Sequence, residues 1–194
     1  MGGRDLLAQD GARVKLDAGV GAQFRDLSVA HALQDRVGLR RPEQRPAAPE
    51  GGSVWYTPPA NSSRYQLTAA VDLSSLPNAT LSFQTWYDLE PQYDFAYLSV
   101  STDEGHTWRL LEPEHSLTGF YGPAWGGRSE ELEGHQKGWL DESITLDVYA
   151  GQSILLRFDV LTDFEALGRG FALTSPNIPE LAEQPVWRPN GFVK

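Results

Sequence analysis

The sequence predicts an all-β fold, an antiparallel β-sandwich of jelly-roll type. Three observations predict it. Several segments alternate apolar and polar residues with a period of two, the mark of strands with one buried face. These segments are separated by turns rich in Gly, Pro, Asn and Asp. No stretch sustains an amphipathic helical pattern across three turns. At 194 residues one sandwich with irregular flanks accounts for the chain without a second core.

Residues 1–33 form an ambiguous N-terminal arm, with short apolar stretches at Val14 to Leu16 and Phe24 to Leu33. Residues 34–52 are rich in Pro, Gly and Arg and read as a linker or long loop. The sandwich module covers 53–178. Its first strand sets Tyr65, Leu67, Ala69 and Val71 on one face. The next two use Leu81, Phe83, Thr85 and Tyr87, then Ala96, Leu98 and Val100. A fourth uses Ile154, Leu156, Phe158 and Val160. Trp139 to Leu146 and Gly170 to Leu173 add shorter strands. Residues 179–194 form a tail, read either as the opening of a following segment or as a disordered terminus.

Composition removes several function classes. A net charge of −10 argues against general nucleic-acid binding, which needs clustered Lys and Arg. The one basic cluster, Arg36 to Arg45, is interrupted by Pro42. The apolar runs are too short for a membrane-spanning helix. With no cysteine there is no disulfide, thiolate ligand or thiol nucleophile. Met1 to Asp10 lacks a basic stretch followed by an apolar run, so no signal peptide is read in this chain. It is expected to be either cytoplasmic or a piece of a longer precursor.

Ser101 to Trp108 has the spacing of a self-contained hairpin. Asp103 is placed to accept turn N–H groups, Gly105 to take a positive φ, and Trp108 to pack beneath. The same spacing occurs in sialidase propellers, but one copy in this length cannot build several four-stranded blades.

Taken together, Ala79 to Glu90, Tyr93 to Trp108, Gly138-Trp139, Leu146 to Gln152, Leu155 to Asp163 and Gly170 to Leu173 resemble a known domain. They are similar to the accessory β-domain that follows the catalytic unit of immune-inhibitor-A-like secreted metallopeptidases. That domain is likened to MAM and galactose-binding-like sandwiches. Val54-Trp55-Tyr56 resembles the aromatic element before its first strand. The resemblance spans Gly51 to Pro179. It implies a non-catalytic accessory or interaction module of a larger secreted protein, at an extracellular or cell-surface location. The implied partner is a protein domain of the same parent chain, or an extracellular glycan or protein.

Catalysis in that family rests on a His-Glu-x-x-His helix, which sets two His on one face toward zinc. His31, His106, His115 and His135 do not have that spacing. No catalytic residue is assigned and no cofactor is required. The loop Gly119 to Arg128 offers Phe120, Tyr121 and Trp125 as ligand-binding rings. They make a carbohydrate-binding module the alternative, although the same rings could fold back over the sandwich edge. A third reading, a small jelly-roll glycoside-acting enzyme, would take a carboxylate pair from Glu130, Glu131, Glu133, Asp141 and Glu142. Acidic loop residues are more often simply solvated.

For a metal, Asp88, Glu90, Asp94 and Asp163 are candidate oxygen ligands for a structural calcium. The family pattern implies two Asp after Gly-Phe-Ala-Leu, where this chain has Thr174 and Ser175. That replacement predicts weak or absent calcium binding.

Overall fold

A computed structural model describes residues 45–49, 52–134 and 138–194. The expected arm and most of the linker lie outside these residues. In chain order the strands are β1 (Val54–Thr57), β2 (Arg64–Asp72), β3 (Thr80–Asp88), β4 (Phe95–Ser101), β5 (Arg109–Leu110) and β6 (Leu117–Thr118). They continue with β7 (Pro123–Ala124), β8 (Leu140–Thr145), β9 (Ser153–Leu161), β10 (Gly170–Thr174) and β11 (Arg188–Asn190). The described helical turns are 3₁₀, at Ser129–Glu131 and Asp147–Tyr149. None of the described helices is long and apolar enough to cross a membrane.

One sheet has the order β1-β10-β3-β8, the other β11-β2-β9-β4-β5, and β6-β7 form a separate ribbon. Every paired strand is antiparallel. The chain crosses between sheets from β1 to β2, β2 to β3 and β3 to β4, and again from β8 to β9 and β9 to β10. This alternation is the jelly-roll connectivity the sequence predicts.

The period-two rows land where the pattern places them. Leu67 and Leu98 flank Phe158 across the β2–β9–β4 ladders, and all three are fully buried. Phe83 from the opposite sheet meets the Phe158 ring edge-on at 5.1 Å. Each such side chain contributes roughly 1.5–3 kcal/mol through burial.

The tail is a correction. It lies on the sandwich, with β11 paired to β2. Trp187 stands 5.5 Å from Phe158, Phe192 is buried, and Val193 exchanges two 2.8 Å backbone hydrogen bonds with Tyr56. The physical reason is edge protection: without β11, the β2 edge and one side of the core would face water.

The Ser101–Trp108 hairpin forms as its spacing predicts. Asp103 accepts the Thr107 N–H at 2.8 Å and its hydroxyl at 2.6 Å. Gly105 has φ +92°, and the buried Trp108 donates its indole N–H to the Gly105 carbonyl at 2.9 Å.

Candidate functional site

The β6–β7 hairpin rests on the outer face of β4. It turns through a 2.8 Å hydrogen bond from Gly119 N–H to the Gly122 carbonyl. Gly119 is required there, since a Cβ would come within 2.9 Å of both Ala124 and the Tyr97 hydroxyl. Phe120 is 61% exposed, with its edge on Phe95 at 5.2 Å. Tyr121 is half-buried and packs on Tyr97 at 5.8 Å.

Trp125 does not join them, which corrects the expected three-ring face. Its N–H and C=O pair with Ala96 at 2.9 Å each. Strand alternation therefore sends Ala124 outward under the hairpin and Trp125 into the interior. There it is fully buried, stacked on Phe158 at 6.3 Å and tilted on Phe171 at 5.6 Å. The exposed feature is instead an open groove of about 300 Å³ between the hairpin and the β3–β4 loop. Pro91, Gln92, Phe95, Leu117, Phe120 and Gly127 are among its lining residues.

The four proposed metal ligands separate into two sites. Asp88, at the end of β3, accepts Arg169 Nε at 2.6 Å and Arg128 Nε at 3.1 Å. Arg169 also bonds Glu130 at 2.9 Å and lies over the Trp86 ring. Two guanidinium groups neutralise Asp88, so it leaves the ligand set.

Glu90, Asp94 and Asp163 do converge, each with an oxygen within 4.8 Å of the others. Backbone donors hold them in place. Asp94 accepts the Asp163 N–H at 2.8 Å, Glu90 that of Ala166 at 3.2 Å and Asp163 that of Glu165 at 2.9 Å. Among the described residues no ion pair reaches these three carboxylates. Burial, reinforced by the Asp163 and Glu90 charges, pushes Asp94 up to about 7. Glu90 is raised too, first by burial and then by Asp163 and Glu165.

Three uncompensated carboxylates are the oxygen donor set that a hard divalent cation takes. An adjoining cavity of about 10 Å³, lined in part by Asp94 and Thr162, is of the order of one water-sized sphere. Thr174 and Ser175 do not bear on this site. Gly170 pairs with Asp88, whereas Thr174 lies at the far end of β10, where its hydroxyl accepts the Gln84 N–H at 2.9 Å. The expected weakening at those two positions therefore has no geometric basis.

The acidic run also divides. Glu130 and Glu131 pair with Arg169 and Arg128, and Glu133 is exposed. Asp141 and Glu142 sit on opposite faces of β8, one exposed and one 2% exposed. They cannot flank one glycosidic bond. Glu142 points into the sandwich, accepting the Trp125 indole N–H at 2.8 Å and the Glu114 N–H at 3.0 Å, with His115 Nδ1 3.4 Å away. Burial raises it above the ordinary carboxylate range, and Trp125 and His115 pull the other way. The signal for its burial is in the sequence, since Leu140 and Ile144 flank it at period two. His106 lies on the Asp103 hairpin, while His31 and His135 are outside the described residues.

The family model for the MAM domain of immune inhibitor A-like proteins matches residues 30–178. The chain belongs to this family. A pre-pro-metalloprotease, PrtV, from Vibrio cholerae serotype O1 is 26% identical over 142 residues, covering 73% of this chain and 14% of the relative. Immune inhibitor A from Bacillus thuringiensis subsp. alesti is 28% identical over 155 residues, covering 77% of this chain and 21% of the relative. The chain thus spans about a fifth of the length of these relatives, or less. The matched stretch of this MAM domain holds β1 to β10, the hairpin, the groove and the three-carboxylate site. β11 follows the match.

Proposed function

We propose that this MAM domain is a non-catalytic accessory module of a larger, extracellular or cell-surface, peptidase-like protein. It presents the groove between the β6–β7 hairpin and the β3–β4 loop to a protein domain of the same parent chain. The observation that carries this reading is the open groove with Phe120 and Leu117 exposed beside it, in a family whose relatives here, one of them a pre-pro-metalloprotease, are matched over only 14% and 21% of their length. Glycines under the hairpin and the Phe95 ring give the groove a fixed floor, so a partner would meet a pre-formed surface.

A carbohydrate-binding module is the second reading, favoured by the 61% exposure of Phe120 with Tyr121 beside it. Exposed ring faces can stack on sugars. In either case Glu90, Asp94 and Asp163 would hold a calcium ion, which would supply positive charge to an otherwise uncompensated turn.

The test uses the full chain. It should show no turnover on casein or on a panel of chromogenic glycosides, and it should bind the peptidase portion encoded in the same reading frame in an interferometry assay. Leu117→Ser with Phe120→Ser should weaken that binding about tenfold or more and leave the melting temperature unchanged. Turnover by the purified chain would sink the non-catalytic reading. Glycan-array binding lost in Phe120→Ser, without peptidase binding, would replace the first reading with the second.

A further inference from the structure

The hairpin that walls the groove is tied at both ends to one side chain. Glu142 Oε2 takes the N–H of Glu114, before β6, and Oε1 takes the indole N–H of Trp125, directly after β7. Residues 115–124, between these two points, contain the whole ribbon. Apart from the Phe120 and Tyr121 rings, which rest on Phe95 and Tyr97, that ribbon is lightly held: Leu117 and Thr118 are exposed, and Gly119 and Ser116 use their N–H groups within the loop, on Gly122 and Pro113. On the Trp125 side the hold is stronger, through the Ala96 pair and the buried ring. Glu142 therefore secures the weaker limb.

We propose that Glu142 is an acid-released clasp. Ionised, it holds residues 114–125 against the sandwich and keeps the groove formed; protonated, it frees the limb from Glu114 to Gly122, which swings out about the anchored Trp125.

The chemistry follows from acceptor counting. An ionised carboxylate only accepts, and here both oxygens face N–H donors. A neutral carboxyl carries a hydrogen on one oxygen, which becomes a poorer, uncharged acceptor, so both charge-assisted bonds are weakened and the one to the protonated oxygen most. Because Glu142 is enclosed, water cannot readily replace that bond.

The titratable groups facing it are few. His115 approaches from the loop after β5, and Tyr87 approaches from β3, its hydroxyl driven up to about 12 by burial and then by the Glu142 charge. Asp141, beside it on β8, faces the opposite side of the sheet. A cationic His115 favours the ionised clasp, so removing it should move release to higher pH. Burial has the opposite effect, raising the pH at which the carboxylate takes up its proton. As control of partner docking this inference rests on the reading above, whereas the motion itself does not.

Hydrogen exchange of the full chain, corrected for intrinsic rates, tests it between about pH 8 and about pH 5. Protection of the amides of residues 114–122 should fall roughly tenfold or more at the acid end, while β2 and β9 stay protected. Glu142→Gln should be loose at both pH values, since a carboxamide cannot accept at both atoms. If that variant does not fold, Trp125→Phe removes one donor and keeps a ring. His115→Asn should shift the transition to higher pH. Equal protection at both pH values, or loss in step with β2 and β9, overturns the clasp. Acid opening with unchanged peptidase binding upholds the clasp and overturns the docking role.

Discussion

Asp88 and Asp94 are six positions apart on one strand end and turn, and they are equally hidden, at 3% and 2% exposure. Their surroundings are opposite. Asp88 is gripped by two arginines, whereas Asp94 looks onto Glu90 and Asp163. Equal burial therefore has unequal consequences. A buried carboxylate with its counter-charges in place fastens the β3 end to the β9–β10 loop. One placed among other carboxylates is raised, because backbone N–H donors offset only part of the burial and repulsion; a proton or a cation from outside the chain would offset the rest.

The largest effect expected from breaking this contrast is on the Asp88 side. Asp88→Ala removes two charge-assisted hydrogen bonds, leaving Arg128 and Arg169 only Glu131 and Glu130, and should cost about 3 kcal/mol. That corresponds to a fall of roughly 10 °C in melting temperature for a chain of this size.

Asp94→Asn should act in the other direction, because the amide keeps an acceptor for the Asp163 N–H and removes the charge. The folded value, about 7, lies above the ordinary 3.8, so between them the native state binds the extra proton. The stabilisation this gives is full below about 3.8 and is lost as pH rises through about 7. At neutral pH the variant should gain on the order of 2 kcal/mol over the wild type, and the difference should vanish in acid. Melts at stepped pH check this; a difference that does not change with pH would remove Asp94 as the source.

Calcium sharpens the comparison with a smaller effect. At about ten times its dissociation constant, calcium should raise the wild-type melting temperature by roughly 4 °C over chelator, and should have little effect on Asp94→Asn. It should also flatten the wild-type pH dependence, since a bound cation holds Asp94 ionised.

What was legible in the sequence follows from what is local. Alternation marked β2, β3, β4 and β9 and their inward faces, because period two is set by the backbone itself. The Asp103 hairpin was equally legible, since all its partners lie within eight residues. Long-range facts were not. Nothing near Asp88 in the sequence announces Arg169, 81 positions away, and nothing near Trp125 announces that pairing with Ala96 turns its ring inward. Arg157 and Asp159 alternate with the inward row of β9, yet both are buried, joined at 2.6 Å, with the Arg157 guanidinium 3.8 Å from the Trp108 ring. The tail was opaque for the same reason: β11 is three residues long, contains a proline, and becomes a strand only because β2 offers an edge.

The antiparallel bridge between Tyr56 and Val193 places the entry and exit of the sandwich side by side. A polypeptide can enter and leave the module at nearly one point, so it can sit as a side-branch between two flanking units without holding them apart. Tension applied along such a polypeptide would part the Tyr56–Val193 bonds one after another, as a zipper opens, before it reached the long ladders of β2 and β9.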